Sequence, residues 1–270
     1  MEGKKNNKLL YQVLRLIYWF LMWGLLDQIL CRFVPFAGPI ETLMVLWEKM
    51  HEKSFYIAVF TTFLGIAVGF FGALVIGTLL GFASYFHDLF DFLMTPVFDF
   101  FRYIPMISFT LIAIIWWNSS ALAFEVSIFL SLPVIYKNTL IGLKNSNQHY
   151  LKRVREIKMP LIKKMIYLYQ PVKMPEYIPG CHRALNMCWK SGIIAQLLGN
   201  TRHSIGSMLV EARDSADMAG IFAWTMVIVG LSIAFEWLVI SLLSTDRYNA
   251  GRVRSKDVFD MLGEREDVNL

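Results

Sequence analysis

The chain has 270 residues, of which 56% are hydrophobic and 15% aromatic, with a formal net charge of +5. A soluble domain is nearer to about 45–50% apolar, so the composition excludes an ordinary soluble protein and predicts an all-α membrane protein. The cysteines Cys31, Cys181 and Cys188 have neither the even count of a disulfide framework nor the spacing of a metal site.

Six segments are apolar over the roughly 20 residues that a spanning helix needs. We predict six transmembrane helices, at about Leu9–Leu30, Phe55–Phe82, Phe92–Trp117, Ala121–Lys137, Tyr177–Leu198 and Gly220–Leu243. Pro96 and Pro105 interrupt the third, and Arg183 and Lys190 lie within the fifth. The first is too long for a signal-peptide core and has no small-residue cleavage site, so we expect it to be retained.

The spans divide the chain into an N-terminal tail, first helix and outer loop at 1–54, a five-helix core at 55–243 and a C-terminal tail at 244–270. Lysine and arginine are then unevenly distributed. Seventeen lie on the side of the two tails and the 144–175 loop, and five on the opposite side. Since cytoplasmic loops carry the excess of cations, this predicts an N-in, C-in orientation.

The 144–175 loop contains a basic stretch, Tyr150–Pro175, in which apolar residues recur at helical spacing. We predict two short amphipathic helices that meet near Met159 and Pro160 and are closed off by Pro171 and Pro175. Three interpretations fit this stretch: a loop that only fixes topology, a docking platform for a soluble protein, or a helix pair on anionic lipid.

Small residues recur in the second span, where Gly65 and Gly69, then Gly77 and Gly81, form small-xxx-small pairs. Such pairs allow helix backbones to approach closely in lipid, so we predict a packing face here. In the third span we expect Asp99 to pair with Arg102 near the membrane interface.

Motifs for catalysis are not found in the sequence. It has no G-x-x-x-x-G-K-[ST] phosphate loop, no H-E-x-x-H, no G-x-S-x-G and no C-x-x-C, and its five histidines are scattered. We therefore expect a non-enzymatic chain with no cofactor, no metal and no nucleic-acid partner.

Charged residues within the apolar spans are costly unless they pair or face water. Glu125, Arg183, Lys190 and Glu236 belong to this group, and we expect them to face the interior of the bundle. Lys190 is either ion-paired to Glu125 or Glu236, or available to an anionic substrate. Arg183 is expected to snorkel at the cytoplasmic interface.

From about Thr61 to Leu243 the sequence resembles the permease subunit of a type I ABC importer, and most closely the nitrate/sulfonate/taurine/bicarbonate group. The stretches that carry the resemblance are Phe101-Arg102-Tyr103-Ile104-Pro105, Leu132-Pro133, Asn138-Thr139 with Gly142, Pro171, Pro175 and Gly180, Trp189-Lys190-Ser191-Gly192, Ser204-Ile205-Gly206, Phe222-Ala223-Trp224-Thr225 and Glu236.

The resemblance implies that the cytoplasmic loop docks into a groove of a separate ATPase, which binds the ATP. The residues implied in this coupling are Leu151, Val154, Ile157, Lys158, Met159, Pro160, Leu161 and Met165. Those implied in the pathway or in internal ion pairs are Arg102, Glu125, Lys190, Gln196 and Glu236. The chain departs from the pattern at Lys152-Arg153-Val154, at Lys158, where the family has glycine, and at Gln196, where glutamate is expected.

The implied assembly contains two permease chains, as a homodimer, two ATPases and an extracytoplasmic binding protein that delivers substrate to outer loops at 33–53 and 200–218. It would lie in the plasma (inner) membrane of a prokaryote and import a small anion or sulfonate-like solute. Two alternatives remain. One is a membrane scaffold or assembly protein whose basic loop binds lipid or a partner. The other is a channel or secondary transporter, although no inverted repeat is found.

Overall fold

The computed structural model describes residues 2–117, 121–145 and 169–263, and the regular structure in these ranges is entirely α-helical. The helices are α1 (Glu2–Leu30), α2 (Pro39–Lys49), α3 (Lys53–Phe86), α4 (Asp88–Tyr103), α5 (Met106–Trp116), α6 (Leu122–Lys144), α7 (Gln170–Leu198), α8 (Ile205–Asp214) and α9 (Met218–Gly263).

Among the described residues, four helical segments are long and apolar enough to cross a membrane: Val13–Leu30, Lys53–Phe86, Leu122–Lys144 and Met218–Leu243. The bent pair α4 and α5 would supply a fifth. The all-helical membrane class is confirmed. α7, the predicted fifth span, does not reach the same hydropathy, so the count of six and the orientation stay predictions.

Close packing of α3 against α6 follows from the glycines of α3. A Cβ added at Gly69 would lie 2.8 Å from both the Phe124 carbonyl oxygen and the Ser127 Cβ, and one at Gly81 would lie 2.7 Å from the Thr139 Cβ. The predicted small-residue packing face is therefore confirmed. Because Gly65 faces Ala123 while Gly81 faces Thr139, the two helices run in the same direction.

α7 runs opposite to α6, since Lys173 lies against Gly142 at one end and Gly199 against Leu122 at the other. α9 runs with α3: Trp224 stacks on Phe55, and Phe235 packs edge-on against Phe70 further along. Where the four helices meet, they bury a core that includes Ile66, Phe70, Ile135, Tyr177, Cys188, Trp189 and Phe235.

The third predicted span is broken at Pro105 but not at Pro96, although the sequence predicted an interruption at both. Pro105 is the N-cap of α5, and the axes of α4 and α5 meet at 103°. Pro96 lies inside α4 without ending it. The halves are held separately, because Phe98 of α4 packs on Tyr136 while Phe109 and Ala113 of α5 pack in a different cluster with Leu122 and Val126.

Two expectations about boundaries, the helix ends at Pro171 and at Pro175, are wrong. α7 begins at Gln170, so Pro171 lies in its first turn, where a missing N–H costs nothing, and Pro175 is inside the helix rather than at the end of a loop. The segments 33–53 and 200–218, predicted as outer connections between spans, contain the short helices α2 and α8, and their position outside the membrane stays a prediction. Ser204 caps α8 through a reciprocal capping box with Ser207.

Substitution of Gly69 by alanine tests the close packing. The new methyl group would collide with α6 backbone and side-chain atoms, so we expect a loss of about 1–3 kcal/mol in the free energy of unfolding. Gly230→Ala is the matched control, since no atom lies within 4 Å of a Cβ there, and its melting temperature in detergent should stay unchanged or rise slightly. Equal melting temperatures for the two variants would contradict the packing argument.

Candidate functional site

The exposed face of α7 carries the most distinctive side chains of the described chain. This helix packs against α3, α5, α6, α8 and α9, and buries Cys181, Ala184, Cys188 and Ala195 among them. Arg183, Asn186 and Lys190 are exposed instead. Spacings of three and four residues put them on one line along the helix. We call these three residues the α7 stripe.

Arg183 is fixed at one edge of the stripe by α6. Its Nη2 donates a hydrogen bond to Asn138 Oδ1, and Asn138 in turn donates through Nδ2 to the Val134 carbonyl oxygen at 2.6 Å. Gly180 allows this approach, because a Cβ there would lie 2.5 Å from the Asn138 Cβ. Arg183 is thus hydrogen-bonded to a side chain of α6. The sequence predicted snorkelling of Arg183 to the interface and did not predict this contact.

Beside the stripe, α7 and α9 share a polar contact. His182 Nδ1 is hydrogen-bonded to Glu236 Oε1, with both side chains partly exposed. The His182 carbonyl oxygen also accepts a hydrogen bond of 3.0 Å from Asn186 Nδ2. The contact gives Glu236 a partner that the sequence did not suggest, since nothing in the pattern singled out His182.

Lys190 has no ion pair within the ranges that the structure describes, and its side chain is exposed. The ion pair with Glu125 or Glu236 that the sequence left open is therefore not formed. Glu236 is bound by His182. Glu125 lies in the first turn of α6, and its buried Oε2 has no hydrogen-bond partner among the described residues. Of the two interpretations of Lys190, the available cation is the one that fits this geometry.

Gln196 does not line an open surface. Its side chain is 1% exposed, and Oε1 accepts a hydrogen bond of 2.9 Å from Thr62 Oγ1. The same hydroxyl accepts a 2.9 Å bond from the backbone N–H of Ile205. Gln196 therefore ties α7 to α3 and to the start of α8, which is a structural role in this conformation.

A second polar contact joins α4 to α6 away from the stripe. Lys137 Nζ donates to both carboxylate oxygens of Asp99, at 3.0 and 2.9 Å, and Lys144 Nζ donates to Asp91. The expected pair of Arg102 with Asp99 is present but longer, at 3.7 Å. Asp99 is thus held mainly by Lys137, and Arg102 remains half exposed.

The eight predicted coupling residues, Leu151 to Met165, lie outside the described residues. Within the described ranges, no group of three histidine, cysteine, aspartate or glutamate side chains is arranged to hold a metal ion. The feature that the described residues present is therefore an exposed, cationic line on a packed helix.

Residues 73–245, more than half of the chain, match the family described as the binding-protein-dependent transport system inner membrane component. The chain belongs to this family. The matched region contains the second part of α3, all of α4 to α8 and the apolar part of α9. It therefore includes most of the packed core and the α7 stripe. The resemblance to ABC importer permeases is confirmed, and the chain is a multi-pass protein of the cell membrane.

Curated relatives are distant. A putative aliphatic sulfonates transport permease protein of Bacillus subtilis is 22% identical over 176 residues, covering 63% of this chain and 60% of the relative. A formylaminopyrimidine transport permease protein of Halalkalibacterium halodurans is 24% identical, covering 83% and 90%. A taurine transport system permease protein of Escherichia coli is 20% identical, covering 78% and 74%. These relatives are transport permeases, and they differ in the solute that their names give.

Removal of the Lys137 side chain tests the contact between α4 and α6. Lys137→Met leaves the partly buried Asp99 with its longer contact to Arg102 alone, so we expect a loss in unfolding free energy between the ~1 kcal/mol of an exposed pair and the ~3 kcal/mol of a buried one. Arg102→Met, the control, should cost less. Thermal unfolding in detergent measures both, and a larger cost for Arg102→Met would mean that Asp99 is held differently.

Proposed function

We propose that this chain is the permease subunit that forms the substrate pathway of an importer for a small anion, and that a separate ATPase drives it through the cytoplasmic segment 144–175. The observation that carries the proposal is the α7 stripe. A cation that faces lipid at the centre of a span costs about 2.5–3.5 kcal/mol on insertion scales. A helix face with two cations and an amide is therefore favoured in contact with water or another protein chain over contact with lipid.

A second copy of the chain satisfies this requirement. If two copies associate with their α7 helices facing each other, the stripes come to lie on opposite walls of one passage. Lys190 and Arg183 are seven residues apart, which on a helix is about 10 Å along the axis. Such a passage offers a moving solute successive positive side chains instead of a single tight site, as transport requires.

The charge of the stripe supports an anionic solute. Arg183 and Lys190 are both cationic, and Glu236, the carboxylate of α9 that contacts α7, is engaged by His182. The relatives named for aliphatic sulfonates and for taurine agree with a solute that carries an anionic sulfonate group. The relative named for formylaminopyrimidine does not, so the anion preference is argued from the stripe and not from the family.

Coupling to an ATPase is supported by the sequence of the cytoplasmic segment and by where it ends. The chain has no phosphate loop, while Leu161 and Met165 belong to an apolar line between lysines. α7 begins at Gln170 and leads directly to the stripe. A protein that moves this segment would therefore move the helix that carries the pathway residues. An extracytoplasmic binding protein completes the proposed assembly on the side of α2 and α8.

Neutralisation of Lys190 tests the anion pathway. In proteoliposomes that contain the ATPase and the binding protein, Lys190→Gln should lower uptake of an alkylsulfonate about tenfold, the value of one charge-assisted hydrogen bond. Lys190→Arg should retain most of the uptake. Arg15→Gln, on α1, removes an exposed cation outside the stripe and outside the segments assigned to the binding protein, and it serves as the control. Equal uptake by the Lys190→Gln and Arg15→Gln variants would refute the assignment.

Aspartate at two positions of the apolar line tests the coupling. The double change Leu161→Asp and Met165→Asp should abolish co-purification of the ATPase, because it places charges in the apolar contact. Lys163→Gln, in the same segment but between the apolar positions, should leave co-purification unchanged. Thermal unfolding should show that both variants remain folded. Intact co-purification of the double variant would instead favour the alternative of a lipid-bound loop on a membrane scaffold.

A further inference from the structure

Lys173 is a buried amine at the beginning of α7. Its side chain is 0% exposed, and its Nζ has no hydrogen-bond partner among the described residues. The nearest groups are aromatic: Nζ lies 3.6 Å from the centre of the Tyr177 ring and 5.3 Å from that of Phe82. Lys173 precedes the predicted span, Tyr177–Leu198, by one helical turn. Fully buried lysines are rare unless they are paired, so this position requires an explanation.

Three helices meet at this amine. A Cβ at Gly142 of α6 would lie 2.7 Å from the Lys173 carbonyl oxygen, so the backbones of α6 and α7 are in contact there. On α3, Phe82 faces the amine, and Thr78 is hydrogen-bonded to the Tyr177 hydroxyl at 2.8 Å. We call Lys173, Tyr177, Phe82 and Gly142 the Lys173 cluster. It connects the cytoplasmic segment to the helices that hold the α7 stripe.

The groups around Lys173 Nζ offset little of the free-energy cost of burying its ammonium group. α7 contributes the phenol of Tyr177 and the thiol of Cys181, and Tyr169 precedes the helix as its N-cap. α3 contributes Phe82 and the phenol of Tyr85, and α6 contributes Gly142. No carboxylate within the described ranges forms an ion pair with Lys173. Cation–π contacts recover only part of the cost of burying the charge. The nearby helix N-terminus is itself the positive end of a dipole.

Burial lowers the pKa of Lys173 from an ordinary value of 10.5 to about 7. The closed cluster thus favours the neutral amine, whereas an open, hydrated arrangement favours the ammonium ion. The cost of closing the cluster is fully present below pH 7, decreases as the pH rises and disappears above the ordinary pKa. The charge of Lys173 therefore opposes closing of this contact most strongly at and below neutral pH.

We propose that Lys173 is a positioning residue that keeps the contact between the start of α7 and α3 weak enough to open, so that the cluster separates and closes during each transport cycle. This inference rests on the proposed coupling through segment 144–175. An apolar residue of the same length would fill the same space without the cost of the charge, and would hold the start of α7 permanently against α3. A lysine at this position lowers the stability of the closed cluster and thereby allows the cluster to open.

Lys173→Met is the decisive variant because stability and transport should change in opposite directions. Replacement of a buried unpaired charge by an apolar side chain of similar volume should raise the melting temperature of the purified permease by about 2–4 °C. Uptake should fall about fivefold or more, while the ATPase still co-purifies. Lys137→Met, the matched control, removes an ion-paired lysine and should lower the melting temperature. A lower melting temperature for Lys173→Met would mean a purely structural lysine and would overturn the proposal, as would unchanged uptake.

A pH series on the permease alone provides a readout that does not depend on any partner. Between pH 7 and 9 the wild-type melting temperature should rise relative to that of Lys173→Met, so the difference between the two should shrink. A difference that is constant with pH would overturn the proposal. If the wild-type permease fails to bind an ATPase, the proposed coupling fails, but these stability measurements still show whether the cluster is held weakly by its charge.

Discussion

The glycine-mediated contact between α3 and α6 is the constraint on which the rest of the fold depends. With backbones this close, α6 has little freedom to rotate, and its hydroxyl groups are presented to α7. Ser127 Oγ donates to the Cys188 carbonyl oxygen at 3.1 Å, and Ser131 Oγ lies 2.7 Å from Cys188 Sγ. These bonds fix which face of α7 is buried. The opposite face, which carries the stripe, is exposed as a consequence.

Charge is distributed over the helices in two ways. Asp91 and Asp99 of α4 are matched by lysines of α6, and Glu236 of α9 is matched by His182, so these charges serve packing. On α7, Lys190 is left available and Lys173 is buried among aromatic rings. One helix therefore contains both the residues that we propose for a passing anion and the residue that we propose to loosen its attachment to α3.

Much of the fold could be predicted because it follows from patterns within short stretches of sequence. The length of the apolar stretches predicts the long helices, the small-xxx-small spacing predicts the α3–α6 contact face, and Pro105 predicts the break between α4 and α5. The site was less predictable, since exposure of Lys190 and burial of Gln196 depend on how α7 is rotated against its neighbours. The sequence predicts Lys173 as a cation of the basic loop, because Pro171 is predicted to end the loop helices. In the structure Pro171 lies in the first turn of α7, so Lys173 belongs to that helix.

The modest hydropathy of α7 has a consequence for how the protein is made. Each Arg or Lys near the centre of a segment opposes its entry into the bilayer from the translocon, and α7 carries two. α6 is apolar and offers Asn138, Ser127 and Ser131 to the polar groups of α7. Biogenesis is thus expected to be cooperative: the preceding helix acts as an intramembrane chaperone, and the two segments enter lipid as a pair. Damage to the α6 surface would then appear first as a topology defect in newly made chains.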